Sequence, residues 1–268
     1  MVNRRMTTSR KASSRPRLAA LLFRLGRGAR SLLRARWPDG VTLRQIRAID
    51  LAPGRPLVIC DVDEVTLHFI RGFEAWLAEQ DLYLAPDSWS IEGNVRRMKD
   101  GKALSTPVVR ALVERFFKER IHDLDPIAGA AESLADLEQA GAQIVLLTNL
   151  PHAYHEPRRR NLLRHGFPWP LVTNSGPKGP AVRALAAKAQ APCAFIDDHA
   201  EFLESAGRHV PSAGLVHFLH DARFARHAAY PAHPHVRVHD WRAAHAHVSH
   251  LLGRPQKVAR QVRSAARR

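Results

Sequence analysis

Acidic and polar side chains stand directly behind short apolar runs in this 268-residue sequence. Asp61, Asp63 and Glu64 follow Pro56-Leu-Val-Ile-Cys60, and Asp197 and Asp198 follow Cys193-Ala-Phe-Ile196. Thr148 and Asn149 follow Gln143-Ile-Val-Leu-Leu147, and Lys178 lies in the turn Asn174-Ser-Gly-Pro-Lys-Gly179. Two carboxylates about 4 Å apart repel by about 4 kcal/mol at an effective dielectric near 20. Asp61, Asp63, Asp197 and Asp198 therefore cannot converge as bare anions, and a cation has to sit among them. Oxygen-only donors select a hard ion, and Mg2+ fits because it takes a few carboxylates and keeps waters for a substrate. Lys178 adds a second positive charge. A metal, an ammonium group, a hydroxyl and an amide together suit the gripping of a phosphoryl group and the compensation of its charge in transfer.

That chemistry needs elements that bring the four groups to one place. Short all-apolar runs with β-branched residues predict strands buried on both faces, here at 56–60, 143–147, 171–173 and 193–196. Residues 215–219 and 236–238 read as late edge strands. Helices are predicted between them over 126–140, 157–165, 180–190, 199–207 and about 240–252. The first closes at Gly141, because glycine tolerates the left-handed cap, and the third has Pro180 near its first turn. Strands alternating with helices at this spacing give an α/β fold, a doubly wound parallel sheet. In such a sheet ligands bind outside the carboxyl ends of the strands, where every one of the polar sets falls.

With this placement, the sequence resembles the haloacid-dehalogenase-like (HAD) hydrolases. Asp61-Val-Asp63-Glu-Val65 is similar to their first motif, Thr148 to the second, Lys178 to the third and Asp197-Asp198 to the fourth, in the family's order, from about Leu57 to the strands near 219. The resemblance implies a Rossmann-like HAD core with Asp61 as nucleophile, forming an aspartyl-phosphate, and Asp63 as acid and then base. In a strand, i and i+2 lie on one face about 6.6 Å apart, so one carboxyl can attack phosphorus while the other reaches the departing oxygen. Thr148 would hydrogen-bond a phosphoryl oxygen with Asn149 nearby, and Lys178 would neutralise Asp61; Lys188 is its fallback. Mg2+ would be held by Asp61, the backbone carbonyl of Asp63, Asp197 and Asp198. Dehalogenases do without the second aspartate and without magnesium, so Asp63 implies phosphatase or phosphotransferase chemistry, with hydrolysis preferred. A receiver domain also uses paired aspartates, a threonine and a lysine, but its acceptor follows the third strand.

The family also places a cap after its first or second motif. Residues 67–125 form a helical insertion of the first kind: Phe69, Phe73, Trp76 and Leu77, then Val109, Leu112, Val113, Phe116 and Phe117, recur at helical spacing. Pro86, Ser88, Gly93 and Gly101 mark a loop between them. His68, Arg71, Trp76, Tyr83, Trp89, Arg96 and Arg97 are the candidate substrate contacts, Arg71 and Arg96 above all. The core is then 50–66 and 126–250. Arg158-Arg-Arg160 reads as a solvated helix start near the active edge, with phosphate contact as the alternative, and the 16 histidines, 11 of them between His199 and His250, as a surface feature rather than a zinc site.

Charge divides the chain differently. Residues 1–49 carry 13 Lys/Arg against one acid, and 251–268 carry six against none, so of 41 basic and 25 acidic residues the middle keeps 22 and 24. A basic N-terminal arm and a basic tail of this kind can hold polyanions through counterion release. The alternative function is accordingly nucleic-acid binding, or a phosphatase acting on nucleic-acid ends. No apolar stretch approaches the ~18–20 residues needed to span a bilayer. Two cysteines exclude a disulfide framework and suit a thiol-reducing cytosol, although an Arg- and Ser-rich, acid-free N-terminus also matches an organellar transit peptide. The expected partner is a small phosphorylated substrate, and the oligomeric state is not legible.

Overall fold

A computed structural model describes residues 37–253. From the N-terminal side come α1 (Gly40–Ala48) and β1 (Leu57–Cys60), followed by an insert with α2 (Phe69–Ala78), β2 (Leu82–Leu84), β3 (Val95–Arg97) and α3 (Thr106–Arg120). The chain then alternates through α4 (Ala130–Gln139), β4 (Gln143–Thr148), α5 (His155–Arg164), β5 (Leu171–Thr173), α6 (Gly179–Ala189), β6 (Cys193–Asp197) and α7 (Ala200–His209). It ends with β7 (Gly214–Phe218), the short α8 (Ala222–Ala225), β8 (Val236–Val238) and α9 (Trp241–Gly253). Six of the strands form one parallel sheet in the order β5-β4-β1-β6-β7-β8. The expected α/β class with a doubly wound parallel sheet is therefore observed. Among the described residues, no helix is long and apolar enough to cross a membrane.

Alternation along the strands builds two cores. Val58 and Cys60, Ile144 and Leu146, and Ala194 and Ile196 face α4, α9 and the insert; Leu57 and Ile59, Val145 and Leu147, and Phe195 face α1, α6 and α7. Both faces are covered, which is why these runs read as continuously apolar. The sheet order sets β1 between β4 and β6, so the crossovers leave it in opposite directions. The crevice at such a reversal is where the carboxyl ends of strands accept ligands.

Three sequence expectations need correction. Residues 37–49, assigned to the basic arm, include the docked helix α1. Asp39 caps it by accepting from the Val41 and Thr42 amides at 2.8 and 3.0 Å, and Ile46 and Ile49 enter the second core. Thr42 also donates to the Thr173 carbonyl at 2.8 Å, fixing the helix to the end of β5. At the other end α9 runs to Gly253, past the expected core boundary at 250. The rest of both basic segments, 1–36 and 254–268, lies outside the described residues. Second, residues 126–129 form a bridge and a turn rather than helix: Ile127 N bonds the Thr66 carbonyl at 2.8 Å where the insert rejoins the core, and α4 starts only after left-handed Gly129. Third, the insert is not wholly helical, because β2 and β3 pair as an antiparallel hairpin around residues 85–94. The insert's aromatic residues, Phe69, Phe73, Trp76, Phe116 and Phe117, belong to the same apolar cluster as the sheet face beneath it.

Candidate active site

The carboxyl ends of β1, β4 and β6 and the turn before α6 meet at one edge. The amide of Asp61 donates to the Ile196 carbonyl at 2.9 Å, continuing the β1–β6 ladder and seating Asp61 beside Asp197. Beyond it the chain turns sharply: Thr66 N and Leu67 N both bond the Val62 carbonyl, at 2.8 and 2.9 Å, with Glu64 left-handed at φ 61°. A non-glycine residue in that region costs about 1–2 kcal/mol. Two anchors offset the strain, for Glu64 accepts from the Ile70 amide at 2.6 Å and meets His220 Nε2 at 2.8 Å. Glu64 thereby caps α2 from outside the helix.

Lys178 is the centre of the charge pattern. Its Nζ lies 2.6 Å from Asp61 Oδ1 and 2.7 Å from Asp197 Oδ2, with all three side chains at most 3% exposed. Burial works against its ammonium charge, but the carboxylates of Asp197 and Asp61 outweigh that and hold Lys178 above its ordinary value. Gly179 makes the position possible. A Cβ there would come within 2.3 Å of the Ser205 carbonyl oxygen, so only glycine lets the start of α6 close on α7. The Asn149 amide braces the same turn, donating to the Gly176 carbonyl at 2.7 Å and accepting from Asn174 at 2.8 Å.

Asp63 has a different cation. Arg158 Nη2 sits 2.6 Å from its Oδ1, with both side chains buried, and the Thr148 hydroxyl lies 3.5 Å from Oδ2. Burial pushes the Asp63 carboxyl up to about 6, against the pull of Arg158. Asp61 and Asp197 are also raised by burial, with Lys178 opposing. Burial pushes the Cys60 thiol well above its ordinary value.

The donor chemistry fits a hard divalent ion. Asp61, Asp197 and Asp198 can each offer one oxygen, all within 4.8 Å of one another, and no other group of three or more His, Cys, Asp or Glu side chains does so among the described residues. The Asp63 side chain turns to Arg158 instead of joining that oxygen set.

No protein-family model matches the sequence, and no curated protein matches it. Solved structures do. A predicted phosphatase from Clostridium acetobutylicum is 14% identical and superposes with a TM-score of 0.50, over 74% of this chain and 100% of that one. A HAD family hydrolase from Deinococcus radiodurans R1, solved with phosphate and sodium, is 17% identical with a TM-score of 0.49, over 76% and 100% of the two chains. A hydrolase from Pseudomonas syringae is 19% identical with a TM-score of 0.46, over 74% and 99%. The chain shares its fold with that predicted phosphatase.

On this fold the expected residues divide into those brought together and those left apart. Asp61, Asp63, Thr148, Lys178, Asp197 and Asp198 share the buried edge. Lys188, the fallback, instead reaches the end of α1, donating to the Arg47 carbonyl at 3.0 Å. Arg71 pairs with Asp125 and Arg96 with Asp87, both partly or largely exposed, and Arg97 with Asp100. Trp76 is core, its indole N–H donating to Glu119 at 2.9 Å. Trp89 alone of the expected insert contacts lines a small hollow beside the site, with Glu64, Asp198 and His220. Arg158 was expected in solvent and is fully buried. Only its spacing to Asn161 and Leu162, both also buried on α5, hints in the sequence that this face turns inward.

Proposed function

We propose that the protein is a Mg2+-dependent phosphoester hydrolase that works through an aspartyl-phosphate on Asp61 and acts on a small phosphorylated substrate. The observation that carries this reading is the Asp61 carboxylate, held 2.6 Å from Lys178 Nζ inside a buried oxygen set, with a second buried carboxyl two residues on. One Asp61 oxygen attacks phosphorus. As that bond forms, the bond from phosphorus to the ester oxygen breaks and its electron pair stays on the oxygen. The Asp63 carboxyl gives its proton to that oxygen, and the alcohol leaves. A water then attacks phosphorus and passes a proton to the Asp63 carboxylate; the bond from phosphorus to Asp61 breaks, releasing phosphate and the free carboxylate. The elevation of Asp63 to about 6 keeps a protonated fraction available near neutral pH. Thr148 offers a hydroxyl to a phosphoryl oxygen, and Lys178 offsets the charge on Asp61 and on the transferring group. Mg2+ held by Asp61, Asp197 and Asp198 would supply further charge compensation.

The site is enclosed, with Asp61, Asp63, Lys178, Asp197 and Asp198 at most 2% exposed. The hairpin loop 85–94 lies against it through Trp89, whose ring is 6.1 Å from that of His199. That loop is the proposed route of substrate entry. The test is hydrolysis of an aryl phosphate by purified protein with Mg2+. Activity should vanish in Asp61→Asn and in excess chelator; equal turnover by the variant would remove the mechanism.

A further inference from the structure

Three consecutive arginines, Arg158 to Arg160, lie in the middle of α5, and a helix turns successive residues by about 100°, so they cannot share an environment. Arg159 and Arg160 face solvent, whereas Arg158 is fully buried. Its Nη2 meets Asp63 Oδ1 at 2.6 Å and its Nη1 lies 3.5 Å from Asn161 Oδ1. Asn161, itself buried, donates to the carbonyl of Leu124 at 2.9 Å, at the point where the insert returns to the core. A continuous chain of contacts thus runs from the insert's junction, through Asn161 and Arg158, to one oxygen of Asp63. Among the described residues, the other oxygen has only the long contact with Thr148 at 3.5 Å.

Stability is a poor reason for such an arrangement. Replacing a buried ion pair by apolar side chains of like volume is often neutral or stabilising. Orientation is a better one. The guanidinium is planar and permanently charged, so it cannot take or give the reaction's proton, but it fixes a carboxylate oxygen in direction and distance. Holding Oδ1 leaves Oδ2 as the oxygen that carries the proton.

We propose that Arg158 is a positioning residue, aiming the Asp63 carboxyl at the departing ester oxygen, with Asn161 steadying it from the insert junction. The inference rests on the hydrolase reading above and assigns a further residue to that reaction. It has a signature that general support of the fold does not. Protonation matters when an alkoxide must leave and matters little when a nitrophenolate leaves. Loss of aim should therefore lower kcat/KM for esters of aliphatic alcohols and spare it for aryl esters, because that constant ends at departure of the alcohol and excludes the later attack of water, which both esters share.

The test compares glycerol phosphate with p-nitrophenyl phosphate in the full chain with Mg2+, for wild type, Arg158→Met, Arg158→Lys, Asn161→Leu and Asp63→Asn. For Arg158→Met, kcat/KM should fall by about 10²-fold or more on the alkyl ester, the scale of general acid catalysis, and less than about tenfold on the aryl ester. Arg158→Lys should recover part of the ratio, Asn161→Leu should show the same bias more weakly, and Arg158→Met with Asp63→Asn should be no worse than Asp63→Asn alone. The ratio of the two rates on one preparation cancels the folded fraction, and Arg158→Lys supplies it if the methionine variant fails to fold. An unchanged ratio in the Arg158 variants, beside a shifted ratio in Asp63→Asn, would overturn the inference alone. An unchanged ratio in Asp63→Asn, or hydrolysis of neither ester by wild type, would instead overturn the acid assignment or the hydrolase reading beneath it.

Discussion

Replacing Lys178 with methionine keeps most of the side chain's length and removes its charge, leaving Asp61 and Asp197 buried without their shared cation. Breaking a buried pair by removing one partner typically costs about 3–5 kcal/mol. The carboxylates have one escape, which is to take a proton. From an ordinary value of 3.8, at about 1.36 kcal/mol per pH unit, that escape costs each group about 1.6 kcal/mol at pH 5 and about 5.7 kcal/mol at pH 8. At pH 5 protonation is thus the cheaper course and caps the penalty, whereas at pH 8 the full cost of an unpaired charge is felt. The sign follows from linkage. The folded variant binds more protons than the unfolded chain above pH 3.8, so its stability falls as pH rises. Urea denaturation of wild type and Lys178→Met in chelator should therefore show a destabilisation at pH 8 that exceeds the one at pH 5, by about 1.4–3.4 kcal/mol where one proton on the pair relieves the repulsion. Lost packing of the lysine stem is the same at both values and drops out. Equal destabilisation at the two pH values would refute the shared-cation account of this site.

His217 provides an acid-side counterpart. Its Nε2 lies 2.9 Å from the Asp198 carbonyl, and burial pushes the ring down to about 4, so it is neutral in the folded chain and binds a proton more readily when unfolded. Stability from this group is complete above about pH 6.5 and is lost as pH falls towards 4. Between pH 7 and 4.5, wild type should lose up to ~2.5 kcal/mol more than His217→Gln, read by denaturant titration; parallel losses would count against a buried neutral imidazole. Gly179→Ala should destabilise by about 1–3 kcal/mol, because its Cβ meets the Ser205 backbone oxygen at 2.3 Å, and should reduce turnover by moving Lys178. A variant as stable as wild type would show that α6 and α7 can separate freely at that point.

What the sequence determined by itself is local and repetitive. Both faces of the sheet are covered, so β1 and the middles of β4 and β6 had to be apolar, and such runs end at the first residue that meets solvent or a ligand. Asp61, Thr148 and Asp197 stand at those ends, and the order of the motifs made the α/β fold and most of the site readable before any coordinates. The hairpin of β2 and β3 was invisible because three-residue strands carry too little alternation to be told from loop. Helix α1 was hidden in an arginine-rich stretch, where charge masked the few apolar residues, Ile46, Ile49 and Leu51, that dock it.

Tertiary structure alone decided which charges are buried. Arg158, Arg159 and Arg160 are chemically identical, and only the rotation of α5 against the core sends the first to Asp63 and the others to water. Arg71 and Arg96 followed the opposite course, spent on Asp125 and Asp87. A long charged side chain pairs with whatever carboxylate the packing brings within reach, and that distance is a property of the folded sheet rather than of neighbours along the chain.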